Sequence, residues 1–151
     1  MKKLSYTALQ KLLRKTRKQL RAEKRKSKIN VHQKKQEQTI AVKNLHHLTC
    51  SVTVANIVYL QADHNTTNVF VAHDNNIEKY YSSYNLLHAM QLLPPDLFVR
   101  THDSFAANIH FLKSITHGEN MLLHLCMETE VPVSRRRKSA VLQFIKSFKQ
   151  S

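Results

Sequence analysis

The sequence changes character at Thr49, and this change restricts the chain to a mostly β domain preceded by a basic segment. After Thr49, short runs of β-branched, aromatic and aliphatic residues, such as 57–60 and 69–72, alternate with polar clusters. Such runs suit the pleated surface of a sheet, and Asn, Asp and Gly between them suit tight turns. A chain of 151 residues with 42% hydrophobic residues can build one ordinary core plus an extension.

The pattern predicts a mainly β fold with a short middle helix and a C-terminal helix. We expect strands at 52–60, 69–72, 77–81, 98–100, 106–115, 121–126 and 130–133, with turns at 63–68, 73–76 and 117–120. Ser82 or Ser83 is expected to cap the middle helix, which ends at Pro94. Ser134 is expected to cap the final helix. The predicted inward faces are Leu86, Leu87, Met90 and Leu93 for the first helix, and Val141, Leu142, Ile145 and Phe148 for the second.

Residues 1–28 are predicted to form a basic helix with one narrow apolar stripe. A capping box at 7–10 precedes Leu9, Leu12, Leu13, Thr16 and Leu20, which recur at helical spacing. Such a helix is solvated or packs on the domain, associates with a second copy, or binds nucleic acid or a membrane surface. Residues 29–48 have no firm apolar period and are interpreted as a linker entering the first strand, so that the domain proper spans 49–151.

The charge of the chain lies at its two ends. Residues 1–48 carry 15 Lys/Arg and 2 acidic residues, 49–133 carry 3 and 8, and 134–151 carry 6 and none, within a net charge of +14. Two basic ends around an acidic body indicate dedicated surfaces for a polyanion, either nucleic acid or an anionic membrane. No apolar run approaches the roughly 18 residues of a spanning helix, and the N-terminus lacks the apolar stretch of a signal peptide. Cys50 and Cys126 are therefore expected to be reduced thiols in a cytosol.

The sequence favours neither a metal site nor an enzyme. Its ten histidines are scattered and its two cysteines stand alone, whereas zinc sites need closely spaced pairs. The run His102, Asp103, Ser104 has the residue types of a hydrolase triad, but side chains of strand neighbours diverge. One glycine in the chain leaves no phosphate loop or nucleophile elbow. We therefore expect no catalytic residues, no metal and no cofactor.

Two strings place cations, hydroxyls and amides where strands give way to turns. They are FVRTHDSFAAN at 98–108 and VPVSRRRK at 131–138. Arginine offers planar donors that suit phosphates and the guanine edge. Arginines at the start of a helix interact unfavourably with the helix dipole and lower its stability. Their presence there is easier to explain if they bind a ligand. The alternative is a solvated run of charge.

In order and spacing, these strings resemble the signature of the LytTR family of bacterial DNA-binding domains over residues 49–148. The same family pattern includes an apolar-Tyr-apolar strand followed by a polar loop, here 57–60 and 62–67, and a Leu-Pro before the first string, here Leu93-Pro94. The resemblance implies an elongated, multi-sheet β domain that inserts loops into successive major grooves of DNA. Family regulators usually carry an N-terminal receiver domain, which is not expected in 48 residues with two acids, Glu23 and Glu37.

The resemblance implies three DNA-facing elements. Asn65, Thr66 and Thr67 form the first; Arg100, His102, Asp103 and Ser104 form the second; Ser134, Arg135 and Arg136 form the third, with Lys138 expected to meet phosphate. Asn108 matches a position with a mainly structural role. Two residues depart from the family pattern: Thr66 replaces a frequent aromatic residue, and Asp103 replaces Arg or Asn. A carboxylate is repelled by phosphates but can accept from the cytosine amino group, so base preference at Asp103 is open.

The leading hypothesis is a sequence-specific bacterial transcription regulator that binds double-stranded DNA in the cytoplasm and is nucleoid-associated when bound. It carries no membrane span, and its leucine stripe suggests a homodimer strengthened on DNA. The alternative is a sequence-nonspecific RNA- or ribosome-associated basic protein driven by N-terminal charge. The small number of aromatic residues argues against base stacking on a sheet. A protein bound to a membrane surface is the third hypothesis.

Overall fold

The computed structural model describes residues 38–150, so the predicted helix at 1–28 and most of the predicted linker lie outside the described residues. Within them, a structural unit begins at Thr39 and contains ten strands. The strands are β1 Thr39–Lys43, β2 Thr49–Thr53, β3 Ile57–Asp63, β4 Thr66–His73, β5 Asn76–Ser82, β6 Phe98–Arg100, β7 Phe105–Asn108, β8 Ser114–Thr116, β9 Met121–His124 and β10 Glu130–Val133. The helices are α1 Leu86–Gln91 and α2 Lys138–Gln150. The mainly β fold class with a middle and a C-terminal helix is confirmed.

The strands form two antiparallel sheets. The larger sheet has the order β2-β1-β5-β4-β3-β7-β6, and the smaller has the order β10-β9-β8. Two-residue turns join β3 to β4 and β4 to β5, with His64 (φ 53°) and Asp74 (φ 48°) in the left-handed region. The predicted turn at 117–120 joins β8 to β9, and the chain's single glycine, Gly118, has φ 134° there. The larger sheet therefore exposes its β3–β4 turn at one end and its β4–β5 turn at the other.

Strand β1 lies in the segment 29–48, which the sequence suggested was a linker entering the first strand. Its residues Ile40 and Val42 point inward and pair with β2 in a register that sets Val42 opposite Cys50. The alternate residues Thr39, Ala41 and Lys43 point outward. The apolar–polar alternation of a half-buried strand therefore covers only five residues, which is too short to be recognised in the sequence. The β domain thus starts about ten residues before Thr49.

The predicted strand at 106–115 is broken at Asn108. The Asn108 side chain accepts a hydrogen bond from the amide of His110 at 3.0 Å and starts the 3₁₀ turn Ile109–Phe111. The chain then leaves the larger sheet and enters the smaller one as β8. The carboxamide nitrogen of Asn108, fully buried, donates to the carbonyl of Ile57 at 2.8 Å. Its predicted structural role is confirmed.

Two clusters of buried side chains hold the sheets and helices together. One joins the larger sheet to α1, through residues such as Leu60, Val69, Leu86 and Leu93. The second joins β3, β6 and β7 to the smaller sheet and α2, with Val58, Val99, Ala107, Leu123, Val131, Val141 and Ile145 among its members. The predicted inward face of α2 is confirmed for Val141 and Ile145, with Leu142 and Phe148 packed at the edge of the cluster. Neither described helix is long and apolar enough to cross a membrane.

The helix caps differ from the predicted ones. Asn85, rather than Ser82 or Ser83, caps α1, and its side chain accepts from the amide of His88 at 2.9 Å. Leu87, predicted to face inward, is 65% exposed because only Leu86, Ala89, Met90 and Leu93 of this region reach the core. A 3₁₀ turn at Arg135–Arg137 precedes α2, and the Ser134 hydroxyl makes no capping bond to it.

Candidate nucleic-acid interface

Two backbone hydrogen bonds bring together the three predicted DNA-facing elements. The amide of Ala62, one residue before the end of β3, donates to the carbonyl of Ser104 at 2.8 Å. The amide of Ser134 donates to the carbonyl of Thr101 at 2.9 Å. The β3–β4 turn, the loop 101–104 and the turn 134–137 therefore adjoin in that order. We call these three segments the polar ridge.

The β3–β4 turn presents two of its three predicted residues to solvent. Asn65 and Thr66 are exposed, and the Thr66 hydroxyl donates to the carbonyl of Asp63 at 2.8 Å, which closes the turn. Thr67 differs: it is fully buried, and its hydroxyl donates to the carbonyl of Tyr84 at 2.9 Å. The side chain of Thr67 is thus used to anchor the segment before α1. His64, which no sequence pattern singled out, projects from the tip with its side chain 96% exposed.

The loop 101–104 is shaped by Arg100. Its Nε donates to the carbonyl of His102 at 2.9 Å, and a terminal guanidinium nitrogen donates to the carbonyl of Asp103. Burial, followed by the charge of Arg137, lowers the pKa of Arg100, while Asp103 acts in the opposite direction. Guanidinium pKa values are so high that Arg100 stays charged. Two of the donors of this half-buried group thus hold the loop.

His102 has one ring nitrogen engaged within the loop. Its Nδ1 accepts from the amide of Ser104 at 3.2 Å, and its ring meets the edge of Phe105 at 6.1 Å between centroids. A neutral imidazole whose Nδ1 accepts carries its proton on Nε2. The ring can thus present one N–H donor from a fixed position. Ser104, half-buried, contributes both its backbone amide and its carbonyl to holding the loop.

The turn 134–137 exposes Arg135 and Arg136 but not the hydroxyl of its serine. The Ser134 Oγ is buried and has no hydrogen-bond partner among the described residues, so it is not the outward-facing hydroxyl that the sequence suggested. Ser134 instead acts through its backbone, since its carbonyl accepts from the amide of Arg137 at 3.0 Å. Arg135 and Arg136 are exposed, and within the described residues no ion pair or hydrogen bond holds the Arg135 side chain.

Asp103 joins the second and third elements through side chains. Its Oδ2 lies 3.1 Å from a guanidinium nitrogen of Arg136, and its Oδ1 lies 3.5 Å from one of Arg137. Arg137 lies within the string at 131–138 but is not among the predicted site residues. The pairing of Asp103 with residues more than 30 positions away gives no signal in a single sequence. Arg137 also lines, with Arg100, a groove of about 420 Å³ whose other walls include Leu87, Met90 and Pro95.

Lys138 is the one predicted site residue whose charged group is bound to a neighbouring hairpin. Its Nζ donates to the carbonyl of Gly118 and, at 3.1 Å, to that of Glu119. Carbonyl oxygens do not neutralise an ammonium group, so the positive charge remains at the start of α2. Lys138 is therefore placed to act as a fixed charge rather than a mobile one.

The histidines and cysteines of the described residues do not assemble a metal site. No group of three or more His, Cys, Asp or Glu side chains converges in this part of the chain. His124 instead bridges the smaller sheet, with Nε2 2.6 Å from the Thr116 hydroxyl and Nδ1 3.2 Å from a carboxylate oxygen of Glu130. Cys50 and Cys126 are both unpaired thiols. Burial raises the pKa of the Cys126 thiol.

Comparison with known proteins gives one family model and several related solved structures. The sequence model of the LytTr DNA-binding domain matches residues 47–146, about two thirds of the chain. A solved structure described as the LytTr DNA-binding domain of a methyl-accepting/DNA response regulator from Bacillus cereus is 25% identical and has a TM-score of 0.60. The match covers 72% of this chain and 97% of that one. Among curated protein sequences, none matches this chain. With a family match over most of its β domain and the corresponding fold, the chain belongs to the LytTR family of DNA-binding domains.

Proposed function

We propose that this protein is a sequence-specific transcription regulator that binds double-stranded DNA by inserting the polar ridge into the major groove. The observation that carries this proposal is the joining of three sequence-distant polar segments by the Ala62–Ser104 and Ser134–Thr101 hydrogen bonds. A protein that recognised DNA through a single segment would not need three segments joined in this way. The major groove admits a protein element of this kind and shows a distinct pattern of donors and acceptors for each base pair.

The roles of the cations follow from how each is held. Arg135 and Arg136 extend from the turn with exposed guanidinium groups, and we assign at least one of them to a guanine edge, where bidentate contacts form. Arg100 and Lys138 are each tied to backbone carbonyls, and we assign them to phosphates, which fix the register of a protein on the duplex. Asn65, Thr66, His102 and Ser104 supply the remaining polar groups of the ridge.

The cellular setting follows from the family. The related Bacillus cereus domain is described as part of a DNA response regulator, and we propose that the present chain also acts on bacterial DNA in the cytoplasm. The segment 1–37 contains 14 of the 24 Lys and Arg residues, and we propose that it adds contacts to phosphates. We further propose that two copies associate more strongly on DNA than off it, because phosphates relieve repulsion between basic segments.

Selection of bound duplexes from a random library by the full-length protein tests the proposal. The selected site should bind at least 10³-fold more tightly than a scrambled duplex at physiological salt, the lower end for specific DNA-binding proteins. Replacing the guanines of that site by 7-deazaguanine removes the N7 acceptor from the major groove and should lower the affinity. Netropsin, which occupies the minor groove, should compete weakly.

The same measurements identify the alternatives. Equal affinity for selected duplex, scrambled duplex and random RNA would indicate a sequence-nonspecific nucleic-acid binder. If netropsin abolishes binding while 7-deazaguanine leaves the affinity unchanged, recognition takes place in the minor groove. Co-sedimentation with anionic liposomes, with affinity above that for DNA, would favour the membrane-surface hypothesis.

A further inference from the structure

Asp103 is an acidic residue placed among the cations of the polar ridge. Its carboxylate lies 3.1 Å from Arg136 and 3.5 Å from Arg137, while Arg100 donates to its backbone carbonyl. Two guanidinium groups thus pair with the carboxylate, and a third binds the backbone of the same residue. A surface built only for affinity to phosphate gains nothing from a negative charge there, because that charge repels every phosphate that approaches.

The two ion pairs are exposed and can be exchanged for another partner. The side chain of Asp103 is 60% exposed, and those of Arg136 and Arg137 are 83% and 38% exposed. Ion pairs at such sites are weak, since water screens both charges. A phosphate that takes either arginine must also displace the carboxylate and remain beside it. A guanine edge carries acceptors without net charge, so it competes for the arginine at a smaller electrostatic cost.

The carboxylate also fixes the direction of the arginines. It accepts from both guanidinium groups with separate oxygens, so Arg136 and Arg137 are held side by side against the loop 101–104. Long side chains lose rotamer freedom when they bind, and a side chain already held in place loses less. Asp103 therefore acts both on where the guanidinium groups point and on which anions they accept.

We propose that Asp103 is a positioning residue that sets specificity by discriminating against contacts to phosphate alone. This inference rests on the proposed function. The Asp103 carboxylate holds Arg136 and Arg137 in the free protein and lowers their affinity for phosphates of non-cognate DNA and for other polyanions. On the cognate site, the arginines exchange the carboxylate for base edges. Asp103 thereby reduces total affinity and increases the ratio of specific to nonspecific affinity.

The test compares Asp103→Asn with Asp74→Asn in the full-length protein. Both substitutions remove one negative charge and replace a carboxylate by an amide of the same size. Asp74 lies in the β4–β5 turn at the opposite end of the larger sheet, where φ is 48° and asparagine is well tolerated. Affinity is measured over a range of salt for the selected duplex, a scrambled duplex and heparin, a polyanion without bases.

Asp103→Asn should raise affinity for scrambled DNA and heparin by roughly a factor of two to five, the range expected for an exposed ion pair. Its plot of log K against log salt on scrambled DNA should steepen by about 0.9 for each arginine released to a phosphate. The ratio of selected to scrambled affinity should fall. Asp74→Asn should leave that ratio and the salt slope unchanged. In an Arg136→Gln/Arg137→Gln background, Asp103→Asn should raise heparin affinity by a smaller factor than it does in the wild type, because only direct repulsion by the carboxylate remains to be removed.

Two outcomes would overturn the proposal. One is that Asp103→Asn and Asp74→Asn behave alike on all three ligands. The other is a change of preferred base at one position with unchanged heparin affinity and salt slope, which would make Asp103 a direct base reader. If Asp103→Asn lowers the unfolding midpoint, two other variants, Asp103→Ser and Asp103→Glu, are measured in its place. The proposal then requires that Asp103→Ser raise the affinity for heparin and that Asp103→Glu leave it unchanged.

Failure of the proposed function has a different signature. If the wild-type protein shows no preference for any selected duplex, sequence-specific binding is excluded. The heparin comparison remains valid in that case, because it measures only whether the carboxylate masks the arginines.

Discussion

The buried carboxamide of Asn108 donates to the carbonyl of Ile57 at 2.8 Å, joining the end of β7 to the start of β3. The same side chain accepts from the amide of His110. One residue therefore both ties the two strands and starts the turn that carries the chain into the smaller sheet. Two segments of the polar ridge, the β3–β4 turn and the loop 101–104, lie at the other ends of these strands, so this bond helps to fix the strands that carry them.

Asn108→Ala should lower the free energy of unfolding by about 2–3 kcal/mol, because it leaves the buried carbonyl of Ile57 without a donor. Urea unfolding followed by circular dichroism measures this. Gln143→Ala, at an exposed position of α2, is the control and should change stability by less than about 0.5 kcal/mol. An equally small effect of Asn108→Ala would mean that water replaces the carboxamide.

Arg135→Ala or Arg136→Ala should cost about 1–3 kcal/mol on the selected duplex and relax preference at one base position. Lys138→Ala should instead weaken selected and scrambled duplexes by similar factors, because phosphate contacts carry no sequence information. Fluorescence anisotropy with single-base variants of the site measures both effects. Lys149→Ala, near the C-terminal end of α2, controls for loss of one positive charge.

The assignment of base contacts to this turn is contradicted if neither Arg135→Ala nor Arg136→Ala changes base preference. Uniform losses on all duplexes would place both arginines at phosphates. Base recognition would then fall to the β3–β4 turn and the loop 101–104.

A fragment that begins at Gln38 should keep site preference and show a weaker dependence of affinity on salt. It retains all ten described strands but lacks 14 Lys and Arg residues. Each phosphate that only these residues neutralise should account for roughly 0.9 in the slope of log K against log salt, and the fragment's slope should be shallower by that amount. An unchanged slope would show that the N-terminal residues do not approach the phosphates. Truncation at residue 48 would be a poor test, because it removes β1.

The Leu12→Asp/Leu13→Asp variant should weaken association of two copies on a duplex with two sites. Four leucines on a basic segment need a partner, since each fully buried one contributes roughly 1.5–3 kcal/mol. Sedimentation of both proteins, with and without the duplex, measures the change. The same mass, thermal stability and cooperativity for variant and wild type would exclude a role for this stripe in association.

Patterns local in sequence predicted much of the fold. The alternation of apolar and polar residues identified β4 and β5, and the run around Gly118 identified the β8–β9 turn. The bounds of strand β1 were not predicted, because its apolar–polar alternation, with Ile40 and Val42 inward, covers only five residues beside a long basic segment. The break at Asn108 was not predicted, because Ile109 and Phe111 continue an apolar run that is compatible with a strand as well as with a 3₁₀ turn.

The site was predictable as a set of strings but not as a set of side-chain interactions. The strings at 98–108 and 131–138 identified the segments, and the structure brings those segments together. The burial of Thr67 and of the Ser134 hydroxyl depends on residues distant in sequence, Tyr84 in the first case. The Asp103–Arg136 and Asp103–Arg137 ion pairs depend on the tertiary fold in the same way.

The backbone bonds that hold the polar ridge leave its outermost side chains outside the buried core. His64 and Arg136 are 96% and 83% exposed, and neither contributes to either buried cluster. Substitutions at these tips can therefore accumulate without unfolding the sheets beneath them. With base reading by the polar ridge as proposed, such a domain can change its target sequence by a few point mutations while its scaffold is kept, and these positions are the first to vary in a search for new DNA specificities.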